Sequence, residues 1–153
     1  MSYVEGTDMT MEELADYLTT DPSLDIYYRY EYGISKGWYV GHLWHLAQDG
    51  LVLELTRAQH HEMVHRYDYI LAEYDEADAR RMQCADTSFP IICYRDSKDG
   101  KLEIADGYHR LFQSAHLNHY DLDYILIELP APDLVNGNHT ESGKNYIFNI
   151  REN

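Results

Sequence analysis

Residues 101–117 place the tightest limits on how this chain can fold. Lys101–Ala105 reads as a short strand, Asp106-Gly107 as a tight turn and Tyr108–Leu117 as a helix. Tyr108, Leu111, Phe112 and Ala115 recur at i, i+3, i+4 and i+7, the stripe of a helix with one face in a core. Glycine lets backbone approach a bound group closely, and a helix N-terminus offers unpaired N–H donors with a partial positive charge. With Asp106, His109 and Arg110 around it, this turn can hold a phosphate with a carboxylate beside it. The plainer reading makes Asp106 a helix cap and leaves His109 and Arg110 as solvated first-turn residues.

The flanks carry the same strand-and-helix grammar. Pro90–Arg95 and Lys101–Ala105 surround Asp96-Ser97-Lys98-Asp99-Gly100, and an Asp-Gly pair between such runs predicts a hairpin. Upstream, Leu51–Leu55 is a compact strand. Thr56 and Gln59 form a capping box that opens a helix running to about Tyr74, with Asp75–Arg81 continuing it or starting a new turn. Tyr124–Leu129 is a nearly all-apolar strand that Pro130-Ala131-Pro132 ends. Toward the N-terminus, Thr10 and Glu13 make another capping box, and Pro22 stops that helix. Leu24–Tyr32 alternates as a strand, and Trp38–Gln48 reads as a helix apolar on most sides. Its His42 and His45 are expected to be packed rather than to bind a ligand. Residues 130–153 are loop, with one edge strand at Tyr146–Ile150.

At 153 residues the chain is long enough for one domain with a real core. A net charge of −15 argues against general duplex DNA binding, which needs a basic face, and fits a protein that presents acid to a basic partner. Two cysteines, Cys84 and Cys93, make neither a metal cluster nor a disulfide framework and point to a reducing compartment. With no signal peptide and no apolar stretch of bilayer length visible, a cytoplasmic protein without membrane contact is expected. Fifteen tyrosines, with Tyr27, Tyr28, Tyr30 and Tyr32 crowded together, suit a core edge or a protein interface.

His61-Glu62-Met63-Val64-His65 matches the H-E-x-x-H zinc motif. On a helix, Met63, Tyr67, Ile70, Leu71 and Tyr74 gather on one face, and His61 and His65 fall nearly opposite, toward water. Asp68 stands where the metzincin pattern has glycine, and no third ligand is well placed. No zinc and no protein-held metal cluster are expected.

The order strand, capped helix, hairpin, Asp-Gly-x-His-Arg helix and final apolar strand resembles the ParB/sulfiredoxin-type fold. The resemblance covers residues 51–129, anchored by Pro90-Ile91-Ile92, Ile104-Ala105 and Asp106-Gly107-Tyr108-His109-Arg110-Leu111. It implies an α/β (α+β) domain with a small mixed sheet and packed helices. Residues 1–50 would be an N-terminal extension, helical at first, packed on that core, and residues 130–153 a C-terminal loop and edge segment. The resemblance further implies nucleotide phosphates at the turn, with Gly107 giving close backbone approach and His109 and Arg110 contacting phosphate oxygens. Sulfiredoxins carry cysteine where this chain has Tyr108, so sulfinic-acid repair is not expected. ParB proteins proper add a helix-turn-helix region for which no residues follow here, so a centromere function is not expected either. The closest motif is the Asp-Gly-His-His-Arg of free-serine kinases of this fold, whose catalytic aspartate matches Asp106, and Glu54 is the candidate for their upstream glutamate.

The leading expectation is therefore a nucleotide- or phosphate-binding ParB-like protein, taking ATP or CTP with Mg²⁺. It could support phosphoryl transfer or phosphodiester or nucleotide hydrolysis. The competing expectation is a non-catalytic acidic interaction protein, such as a phage or mobile element uses to block a host nucleic-acid-binding protein.

Overall fold

The computed structural model describes residues 10–20 and 25–140 of the chain. It is a mixed α+β structure with six helices and two four-stranded sheets among the described residues. The described residues fall into two compact units, one of 10–20, 25–49 and 128–140, the other of 50–127. Residues 128–140 thus group with residues 10–20 and 25–49. The expected edge strand at Tyr146–Ile150 lies outside the described residues. Among those described, no helix is long and apolar enough to cross a membrane.

In the first unit, helix α1 (Met11–Thr20) starts at the expected capping box, where Thr10 and Glu13 exchange hydrogen bonds, and ends before Pro22. Strands β1 (Ile26–Glu31) and β2 (Ile34–Tyr39) pair antiparallel across Tyr32-Gly33. Both turn residues have positive φ, 52° and 78°, as a two-residue type I′ hairpin requires. Helix α2 (Val40–Ala47) follows directly and buries Val40, Leu43, Trp44 and Ala47. The expected helix over Trp38–Gln48 thus begins two residues late. Trp38 and Tyr39 belong to a strand that the adjacent glycines had masked.

Asp133 explains why α2 starts where it does. Its carboxylate accepts from the Tyr39 backbone N–H (2.8 Å) and from Nδ1–H of His42 (3.0 Å), and it is buried. A carboxylate at a helix N-terminus satisfies an orphan donor and complements the dipole, and here it is delivered from 94 residues away. Asp133 precedes β7 (Leu134–Val135), which pairs with β2 and turns through Asn136-Gly137 into β8 (Asn138–His139). Burial and the nearby Asp133 charge raise the Tyr39 phenol, which stays protonated and bonds to His139.

The second unit is a mixed sheet in the order β3-β6-β4-β5, made by β3 (Leu51–Glu54), β4 (Ile91–Arg95), β5 (Leu102–Asp106) and β6 (Asp123–Leu126). The β4–β5 hairpin is antiparallel as expected, and β4 and β6 run parallel. Helix α3 (Arg57–Arg66) opens with the reciprocal Thr56–Gln59 capping box. It does not run to Tyr74. Tyr67 leaves helical geometry (φ −96°, ψ 10°), and a short helix α4 (Asp68–Leu71) follows. The reason is a competing set of bonds: the Tyr67 hydroxyl donates to Glu103 (2.6 Å) and accepts from the Ile104 N–H (3.2 Å). Helix α5 (Glu76–Cys84) starts anew at an Asp75–Asp78 capping box. Helix α6 (Tyr108–His116) buries Leu111 and Phe112 against a core that includes Met63, Ile91 and Ile104.

Asp133→Ala strips the cap from α2 and the partner from His42. It should lower stability by roughly 2–3 kcal/mol in chemical denaturation, the range for a buried charge-assisted bond. An unchanged midpoint would contradict the cap.

Candidate functional site

The strand-to-helix junction forms where the sequence places it, and its parts come from local structure. On β5, Asp106 pairs with Ile92, whereas Ile104 pairs with Cys93, so one extra residue sits between them. Such a bulge bends the strand and re-aims the side chain after it. Gly107 then turns the chain with φ +120° and ψ 22° and caps α6 without any side-chain cap bond. No residue with a Cβ fits there: that atom would lie 2.3 Å from Cγ2 of Ile91 and 3.2 Å from Nη2 of Arg110.

Three of the four motif side chains, those of Asp106, His109 and Arg110, gather at this turn with different exposures. Arg110 folds back so that Nη2 lies 3.5 Å from Oδ2 of Asp106, a loose contact, while its guanidinium sits 5.3 Å from the Phe89 ring centre. Its side chain is only 2% exposed and that of Asp106 11%. The expectation of solvated first-turn residues therefore fails for Arg110, which is a buried cation behind the turn. The His109 side chain is more accessible, at 20%, stacked on Tyr74 and 3.7 Å from a carboxylate oxygen of Asp78. Tyr108 turns away: its hydroxyl donates to the Ile104 carbonyl (3.0 Å), and its ring meets Tyr67 edge-on.

Glu54 is not brought to this turn. It ends β3 opposite Asp123, while Asp106 ends β5, and β6 and β4 lie between. Three strand spacings separate the two strands, roughly 14 Å. The pairing Asp106–Ile92–Ile125–Val52 also puts Glu54 two residues off level. Besides Asp106, a carboxylate near the turn is that of Asp78 on α5, reached through His109, a contact between helices that spacing along the chain does not announce. An Mg²⁺ ion held mainly by nucleotide phosphates needs only one or two protein carboxylates, and Asp106 fits that part.

At the H-E-x-x-H segment, His61 and His65 are exposed as expected, and Glu62 is ion-paired with Arg66 (2.9 Å). Among the described residues no three His, Cys, Asp or Glu side chains are grouped so as to hold a metal ion. The histidine that sequence reading passed over is His60, fully buried with Nε2 2.7 Å from Oγ of Ser114. The signal was present: His60 stands at i to Met63, Val64 and Tyr67 on the inward stripe of α3.

Burial lowers the His60 pKa. The unfolded chain therefore binds a proton at His60 more readily than the folded one. The stability this neutral imidazole contributes is present above about pH 6.5 and lost as pH falls from there toward the depressed folded value. Denaturation midpoints should drop across that window, and His60→Gln should flatten the drop. At neutral pH, Arg110→Ala, which strands Asp106, should cost roughly 3 kcal/mol. A wild-type midpoint in that variant would mean the pair is not buried in solution. Compared with known proteins, the chain matches no family model, no curated protein and no solved structure.

Proposed function

We propose that the 50–127 unit binds a phosphate group, in the form of a nucleotide, at the start of α6. The supporting observation is the convergence at one uncapped helix N-terminus of an αL glycine, a buried guanidinium directly behind it and a partly exposed imidazole beside it. Backbone N–H groups and the helix dipole attract an anion there, Arg110 adds positive charge through a poorly screened interior, and His109 supplies a contact from the rim. In this reading Arg110 is an electrostatic backing and not a surface clamp. Asp106 is the one motif carboxylate at the turn able to accept a hydroxyl proton or share an Mg²⁺ ion with the phosphates. Phosphoryl chemistry would rest on that carboxylate, with positioning and charge doing most of the work. The resemblance to ParB/sulfiredoxin-type domains favours the same location. We place the protein in the cytoplasm on its unpaired cysteines, of which Cys93 is buried and its thiol pushed up by burial.

A second reading, an acidic interaction protein, is favoured by one observation in the first unit. Tyr28 and Tyr30 alternate on the edge strand β1 and Tyr32 opens its turn, with 56%, 76% and 85% of their surfaces exposed. Exposed aromatic faces on a chain of net charge −15 suit arginine and lysine side chains of a basic partner.

Calorimetric titration with ATP, ADP, CTP and GTP, each with and without Mg²⁺, tests the first reading. The native chain should bind at least one of them, and His109→Ala, which leaves the core intact, should weaken it about tenfold, the loss of one charge-assisted bond. Absence of heat with every nucleotide overturns it. For the second reading, a low-salt pull-down from a host lysate should capture a basic protein that salt releases, and the double variant Tyr28→Ser, Tyr30→Ser should lose it. Capture unaffected by the double variant would remove the tyrosine surface from consideration.

A further inference from the structure

Strand β1 is an outer strand of its sheet and pairs only with β2 among the described residues. The hairpin fixes which of its backbone groups face out. Glu31 opposite Ile34 closes the two-residue turn, and in the same register the Val40 N–H donates to the Asp25 carbonyl (3.1 Å). Odd-numbered residues of β1 therefore bond to β2, and the N–H and C=O groups of Ile26, Tyr28 and Tyr30 point away from it. None of these outward groups meets a partner among the described residues.

Open edges are normally blunted by a proline, a bulge or cover from a neighbouring element. On the outer strand β5 that cover is present: Arg66 donates to the Leu102 carbonyl (2.7 Å), and the Tyr67 hydroxyl meets the Ile104 N–H (3.2 Å). Among the described residues β1 has no such cover. Its six residues contain no proline, and its register runs unbroken from Ile26 opposite Tyr39 to Glu31 opposite Ile34.

Charge selects the occupant. A net charge of −15 makes two copies of the chain repel, but over residues 25–39 Asp25 and Glu31 are cancelled by Arg29 and Lys36. Two copies can thus meet edge to edge at a neutral strip, with more distant charges screened beyond about 8 Å at physiological salt. Arg29 and Glu31 share one face of β1 and form an ion pair (2.6 Å). In an antiparallel pairing with a two-fold axis at Tyr30, each Arg29 stands opposite Glu31 of the other copy, their Cα atoms about 4.5 Å apart. The two Tyr30 residues exchange N–H···O=C bonds at the axis. An axis at Arg29 would oppose the two guanidinium groups, and one at Tyr28 would oppose Glu31 to Asp25.

We infer that β1 pairs antiparallel with β1 of a second copy of this chain, with the two-fold axis at Tyr30. The pairing is independent of the phosphate reading and uses the strand edge, not the ring faces invoked for a basic partner. So short an overlap makes it a weak, transient dimer.

Sedimentation equilibrium of the full chain over a concentration series tests for the dimer, and amide hydrogen exchange at both ends of that series tests the contact. A monomer–dimer equilibrium is expected, with exchange of the Tyr30 N–H slowing as dimer forms and that of Ile26, beyond the overlap, staying fast. Tyr30→Pro removes the donor at the axis without touching the β1–β2 bonds, a substitution edge strands accept. It should raise the dimer Kd about tenfold, the loss of two symmetry-related hydrogen bonds. Glu31→Arg sets like charges opposite each other and should also weaken the dimer, and the exchange Arg29→Glu with Glu31→Arg should restore it. Circular dichroism checks each fold, and the charge variants decide the matter even if the proline variant does not fold. A monomer at every concentration overturns the inference. A dimer that Glu31→Arg leaves unchanged or tightens, or one in which Ile26 exchange slows together with Tyr30, overturns it as well.

Discussion

The second unit depends on one close approach, the passage of Gly107 over the side chain of Ile91. A Cβ at this position would overlap Ile91, and the φ of +120° is one that side chains rarely adopt. This contact allows β5 to turn into α6 without an intervening loop. It thereby seats Leu111 and Phe112 on the sheet and draws the Arg110 guanidinium under the turn. A glycine in such a motif is easily assigned to ligand approach alone. Here packing against Ile91 already demands it, so the identity of residue 107 is weak support for a ligand. The stronger support is the company it keeps: a buried cation, a helix start without a side-chain cap and a partly exposed imidazole.

Both units solve the same problem, how to bring polar groups inside, by importing a partner from far along the chain. In one, Asp133 caps α2 and holds His42. In the other, Glu103 accepts from Tyr67 and Arg66, which ends α3 and ties it to β5. Buried polar groups are expensive unless paired, so these links specify where each helix begins or stops.

Local chemistry was legible in the amino-acid order, and long-range chemistry was not. The capping boxes at Thr10–Glu13 and Thr56–Gln59, the stripe of α6 and the β4–β5 hairpin could be read directly, because each is decided within a few residues. Strand β2 is hidden in the sequence because Gly37 interrupts its pattern, and the Asn136-Gly137 hairpin because its strands are only two residues long. The break at Tyr67 could not be seen, since Met63, Tyr67, Ile70 and Leu71 keep a helical period across it and the opposing bonds come from β5. Strand order set Glu54 apart from Asp106, and no spacing rule encodes strand order. The burial of Arg110 ran against the usual behaviour of arginine, which is seldom buried unless paired.

The central claim is that an anion is held by the first turn of α6. Backbone amide NMR during titration with pyrophosphate tests it most directly, because it reports the N–H donors themselves. The account predicts saturable downfield shifts greatest at Tyr108 and His109, falling away by the end of the helix. Shifts scattered over the basic side chains of the surface, or none at the α6 start, would contradict it.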